Sequence, residues 1–210
     1  MKKLSSSLIN MVVVLTLIAL VAGGILAFVN YVTAPQIAKI NEEKLNAGIK
    51  EVMGGGEIMV SQTDTLKSEI NGKSKEFIVY SVQNTSKQIL GKAVQTVENG
   101  FGGNLKVLVG FDTKGTILGY TVLEHAETPG LGAKAGLWFQ KDGKGKIIGK
   151  NPGECNFTVS KDGGDIDAIT ASTITSRAFL LAIQNAYDEI SKEQVDCKSG
   201  ATEQTKSQNQ

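Results

Sequence analysis

No charged residue occurs between Lys3 and Lys39, and within that gap the nineteen positions from Met11 to Val29 are almost wholly apolar. At about 1.5 Å per residue such a run spans roughly 28 Å, close to the hydrocarbon thickness of a bilayer. A helix buried in a soluble protein is seldom apolar on every face for that length. A cleaved signal peptide has a shorter apolar core, about 7–15 residues, followed by a small-residue cleavage site. Here the run continues through Phe28, Asn30 and Tyr31, with Tyr31 suited to the interface, and no cysteine lies nearby for lipid attachment. Residues 1–33 therefore read as a cytoplasmic tip and one retained transmembrane helix. Lys2 and Lys3 precede it and the next cation is Lys39. The positive-inside bias then places the N-terminus in the cytoplasm and the body on the far side of the cell inner membrane. Gly23 and Gly24 would admit a neighbouring helix, and equally suit the ordinary composition of such spans.

The formal net charge is +1, so neither a basic excess for nucleic acid nor an acidic excess for a solvating tail is present. One histidine and two cysteines cannot close a four-ligand zinc site without carboxylates, and no metal site is expected. Cys155 and Cys197 would pair in an oxidising compartment or stay free in an anaerobe, and spacing does not choose.

Pro35 opens a segment to about Met53 whose apolar residues fall loosely on one helical face, ending at Gly54-Gly55-Gly56. Ser61 to Lys75 is polar, with a turn signal at Asn71-Gly72, so residues 34–73 read as a helical stem and linker. Strands are predicted at Phe77–Val82, between Ile89 and Val97, at Leu105–Phe111 and at Thr116–Leu123. Turns are predicted at Asn99–Asn104 and Asp112–Gly115. Asn156–Ser160 reads as a short later strand, and Ser176–Ile190 as a helix with an apolar stripe through Phe179, Leu180, Ile183, Tyr187 and Ile190. Residues 74–190 thus form an α+β domain, an antiparallel sheet with packed helices, preceded by one transmembrane helix. Residues 191–210 are polar and read as a disordered tail.

The most informative stretch is Asp167-Ala168-Ile169-Thr170-Ala171-Ser172-Thr173-Ile174-Thr175-Ser176, a cluster of hydroxyls and small residues just before the last helix. Ser172 or Thr173 suits an N-cap. The same free N–H groups and helix dipole suit a phosphate. Asp167, Thr170 and Thr173 resemble the covalent flavin-attachment motif of the FMN-binding domain family: Asp, two variable positions, Ser or Thr, Gly, Ala, then the acceptor Thr. Ala171 stands where that pattern has Gly, and Ser172 where it has Ala. The resemblance implies FMN joined by a phosphoester to Thr173 by a dedicated flavin transferase, with Thr175 the alternative acceptor. His125-Ala126-Glu127-Thr128-Pro129-Gly130-Leu131-Gly132 is similar to the family's segment beside the flavin ring, with Thr128, Pro129, Gly130, Leu131 and Gly132 packed against it. Read without the family, Pro129-Gly130 is a turn and Gly132 lets backbone approach something flat or bulky. Asp162-Gly163-Gly164-Asp165 resembles the family's approach to the attachment motif.

The order of anchor, body and motifs is most similar to the G-subunit family of the Rnf ion-translocating electron-transport complex. That implies an electron-carrier component of a ferredoxin:NAD oxidoreductase that translocates ions, whose partners are the other membrane and peripheral Rnf subunits, the lipid bilayer and the flavin transferase. The alternatives are the C subunit of a sodium-pumping NADH:quinone reductase, or a cofactor-free membrane-anchored binding or assembly module. Arg177 and Lys161 are candidates to offset the remaining phosphate charge. His125 is a candidate proton donor to reduced flavin or a solvated polar residue. Gly100-Phe101-Gly102-Gly103 and Gly143-Lys144-Gly145 match no dinucleotide fingerprint, so no NAD site is expected on this chain.

Overall fold

The computed structural model describes residues 8–70 and 72–199, with side chains to Lys192. Helix α1 (Leu8–Val52) is 45 residues long. Its apolar side chains from Leu8 to Ile40 are exposed throughout, as expected of a lipid-facing span. The sequence suggests a fresh element at Pro35, but Pro35 lies inside this helix. Proline removes one backbone donor there, and no glycine or turn cluster accompanies it to end the helix. Residues to Leu45 make one unit, and the chain from Asn46 onward makes a second.

The second unit begins with the last turns of α1. Gly54, Gly55 and Gly56 all take positive φ (86°, 79° and 91°), and the Gly55 N–H closes on Lys50 O at 2.8 Å. This left-handed exit ends the helix at the predicted place. Five strands follow: β1 (Ile58–Ile70), β2 (Lys73–Asn84), β3 (Ile89–Asn99), β4 (Asn104–Asp112) and β5 (Ile117–His125). They pair in chain order as an antiparallel meander. The expected polar linker is in large part β1, paired along its whole length with β2. An edge strand with both faces largely wet needs few apolar residues, so composition concealed it. Only Leu66 and Ile70 pack against the core.

Alternation in β4 buries Leu105, Val107, Val109 and Phe111 on one face, where helix α3 (Thr173–Ser199) adds Phe179, Ala182, Ile183, Ala186 and Ile190 to the same core. The last turn of α1 covers the other face. There the paired residues Gly110 and Gly119 face its backbone. A Cβ on Gly110 would fall 2.4 Å from Val52 O, and one on Gly119 would fall 3.0 Å from Val52 Cα. Two mid-strand glycines thus let the helix end sit directly on the sheet.

The 47 residues between β5 and α3 hold only the short helix α2 (Ala135–Trp138) and two 3-10 turns. Buried side chains pin them down. The Tyr120 hydroxyl donates to Ala135 O at 2.7 Å and accepts from Phe139 N at 3.2 Å. Burial pushes this phenol well above its usual range. Phe139 stacks on Phe179 with centroids 4.4 Å apart, and Tyr120 meets Phe179 edge-on at 4.8 Å. Asn156–Ser160 is not a strand: only Val159 bridges to Ile166, and a 3-10 turn starts at Ser160. Of this run, Phe157 and Val159 alone reach the core, and one bridged residue suffices to place them without a ladder. α3 starts three residues earlier than expected and continues beyond Ile190 to Ser199, while residues 200–210 lie outside the described residues. The Cys155 thiol is free, and the Cys197 side chain lies outside those described.

Candidate functional site at the start of helix α3

The segment leading into α3 reverses direction at Ala171, whose φ is +62°. Ser172 N donates to Ile169 O at 3.0 Å, and Ser172 O accepts the first helical bond from Ser176 N at 3.0 Å. The Ser176 hydroxyl turns back, accepting from Ile169 N at 2.9 Å and donating to Ser172 O at 3.0 Å. This clasp presents Thr173 as the first residue of α3, where free N–H groups and the positive end of the dipole gather.

A cavity of about 370 Å³ opens beside this helix start. Thr128, Leu131 and Gly132 line one side, and Ala171, Ser172 and Thr173 line another. The two stretches singled out in the sequence, about forty residues apart, therefore share one cavity. Phe101, Glu127, Ile174 and Thr175 complete the lining. Phe101, Leu131 and Ile174 are exposed apolar side chains (70%, 41% and 52%) within that lining.

The hydroxyls of the cluster differ in access. Thr175 is 1% exposed and donates to Glu127 Oε2 at 2.8 Å. Ser176 is fully buried in the clasp, and Ser172 is 8% exposed. Thr173 is half-buried, lines the cavity, and accepts from Lys161 Nζ at 3.3 Å. Thr170 is exposed and outside the lining.

Other expected residues sit around the site rather than in it. Asp167 braces the approach: its carbonyl accepts from Trp138 Nε1 at 2.8 Å, and its carboxylate accepts from Ser160 Oγ at 3.3 Å. Pro129 and Gly130 form an exposed turn closed by Leu131 N to Thr128 O at 3.1 Å, with Gly130 at φ +78°. Arg177 does not line this cavity. Its guanidinium grips Asp162 through two 2.7 Å bonds beside a second cavity of about 510 Å³. The paired guanidinium holds the Asp162 carboxyl below the usual carboxylate range, and Asp162 in turn raises Arg177. The close approach at Gly132 is to the chain itself: a Cβ there would fall 2.3 Å from Glu127 Oε2 and 2.8 Å from Thr175 Oγ1. His125 ends β5 exposed, and its Nδ1 accepts from Glu127 N at 3.3 Å.

Glu127 and Ile174 belong to the two stretches singled out in the sequence, where nothing local assigns them a role, and Phe101 lies outside both. Gly100-Phe101-Gly102-Gly103 held a usable signal, since a glycine-rich turn offers backbone N–H groups to an anion. Here the anion is Glu127, which accepts from Phe101 N at 2.8 Å and Gly102 N at 3.3 Å.

Residues 100–188 match the FMN-binding domain family, and residues 1–52 match the RnfG N-terminal region. The G subunit of the ion-translocating oxidoreductase complex from Shewanella baltica is 33% identical over 180 residues, covering 82% of this chain and 84% of that protein. Its counterpart from Shewanella oneidensis is 34% identical over 181 residues, with the same coverage of 82% and 84%. The Vibrio parahaemolyticus counterpart is 33% identical over 198 residues, covering 87% and 92%. The chain therefore belongs to the G-subunit family of the ion-translocating oxidoreductase complex, an FMN-binding domain carried behind an apolar N-terminal helix.

Proposed function

We propose that this chain relays electrons in an Rnf-type ferredoxin:NAD oxidoreductase complex through FMN joined by a phosphoester to Thr173. The observation that carries the assignment is access. Among the hydroxyls from Thr170 to Ser176, the half-buried Thr173 combines partial exposure with a place in the cavity wall. Thr175, the alternative acceptor, is buried with its proton committed to Glu127.

The lining suits the cofactor's two halves. Phe101, Leu131 and Ile174 supply apolar surface for a flat ring, and 370 Å³ falls within the usual range of about 300–1,000 Å³ for ligand cavities. Thr173 sits at a helix N-terminus with Lys161 at 3.3 Å, a setting that favours the phosphoester's remaining negative charge. That attraction is worth only about 0.3–1 kcal/mol when exposed, up to ~2 when partly buried, so the covalent bond supplies retention. Arg177 acts on the phosphate only if it leaves Asp162, and Lys161 takes that role first. Asp167 positions the approach, Thr170 and Ala171 shape the turn, and Thr128 and Gly132 form the opposite wall. Bound FMN supplies one- and two-electron redox chemistry.

α1 anchors the chain in the cell inner membrane with the N-terminus cytoplasmic and the flavin domain outside, where a covalent link prevents loss of the cofactor. The other Rnf subunits are its electron partners, and a flavin transferase matures it. Full-length protein from a host with the transferase should carry the mass of one FMN and fluoresce after denaturation. Thr173→Ala should remove both signals and Thr175→Ala should retain them. A dark wild-type band of unmodified mass would overturn the reading.

A further inference from the structure

One buried charge at this site has no part in holding the phosphate. Glu127 is 5% exposed and lines the cavity. Oε1 accepts from Phe101 N at 2.8 Å and Gly102 N at 3.3 Å, and Oε2 accepts from the Thr175 hydroxyl at 2.8 Å. Three donors converging on the two oxygens are the partners an ionised, acceptor-only carboxylate requires.

The surrounding backbone is shaped to this carboxylate. A Cβ on Gly100 would fall 2.0 Å from Oε1, and one on Gly132 would fall 2.3 Å from Oε2. The β3–β4 turn, the Gly132 turn and the first turn of α3 therefore meet at a single side chain. Burying an ionised carboxylate carries a desolvation cost that an apolar contact of the same shape avoids. Backbone dipoles and one hydroxyl offset part of that cost and leave a net negative charge in the cavity wall. A fixed anion disfavours electrons added nearby, and exclusion of water strengthens the effect.

We infer that Glu127 is the positioning residue of the flavin cavity, tying Phe101 and the first turn of α3 together while its fixed charge holds the flavin's reduction potential down. This rests on FMN occupying the cavity beside Thr173. The role needs no proton or electron transfer by Glu127 itself. It works through where the walls stand and through the charge they share.

The test uses full-length protein loaded with flavin in a transferase-containing host. Glu127→Gln keeps the volume and removes the charge. Thr175→Val keeps the charge and removes one of its donors. Intact mass reads occupancy, and flavin absorbance during electrochemical titration reads the midpoint. Loaded Glu127→Gln should titrate at a higher potential. At the wild-type midpoint its reduced-to-oxidised ratio should rise about tenfold, equivalent to about 30 mV for a two-electron couple. Thr175→Val should move the midpoint the other way, because the anion is less offset, and this variant decides the matter if Glu127→Gln does not fold. A loaded Glu127→Gln with the wild-type midpoint overturns the inference, as does a Thr175→Val midpoint that rises or stays. A wild-type chain lacking the flavin mass overturns the Thr173 reading instead.

Discussion

Ala171→Gly should make the protein more stable, against the usual effect of adding glycine. Ala171 sits at φ +62°, a left-handed conformation in which a Cβ crowds the following carbonyl. That crowding costs about 1–2 kcal/mol for an L-residue. Glycine removes it, and the greater freedom of glycine in the unfolded chain returns about 0.4–1 kcal/mol. Ala171 is exposed, so the lost methyl forfeits little buried area. The balance is a gain of about 0.5–1 kcal/mol, or roughly 1–4 °C in Tm for a folding unit of this size. Trp138, the single tryptophan, reports on the right region because its indole N–H holds Asp167 O at 2.8 Å. Thermal unfolding of the full-length protein in one detergent, followed by tryptophan emission, measures the shift. Ala171→Val is the opposing control: a β-branched residue at positive φ should lower Tm by more than glycine raises it. Refutation would be a glycine variant no more stable than wild type together with a valine variant that matches it. That pair of results would mean residue 171 does not bear left-handed strain.

Tyr120→Phe should cost about 1–3 kcal/mol, because Ala135 O and Phe139 N both lose a buried partner. A lowered denaturant midpoint at unchanged m-value checks it, and an unchanged midpoint counts against the pinning role of the hydroxyl. Burial pushes the Cys155 thiol above its usual range, so less thiolate is present at any given pH. In a Cys197→Ser background, alkylation should therefore lag behind a free thiol near pH 8–9 and approach it only at higher pH; equal rates near pH 8 would refute the burial.

Much of the architecture follows from patterns a single sequence carries. The lipid-spanning character of α1 is a statement about nineteen uncharged positions and needs no partner to be read. Four strands and the last helix announce themselves through period and punctuation, because each buries one face against the same core. β1 did not, since an edge strand wet on both sides carries little apolar pattern. Asn156–Ser160 misled for the converse reason: its apolar residues enter the core from a loop.

The site divides in the same way. The motif Asp167–Thr173 and the segment Thr128–Gly132 were legible as residue types in order. That Thr128, Leu131 and Gly132 share one cavity with Ala171, Ser172 and Thr173, that Thr175 is committed to Glu127, and that Arg177 is taken by Asp162 were decided by the tertiary structure. Local chemistry lists which hydroxyls and charges are available. Which of them stay free depends on partners brought in from 15 to 48 residues away, and only folding makes those pairs.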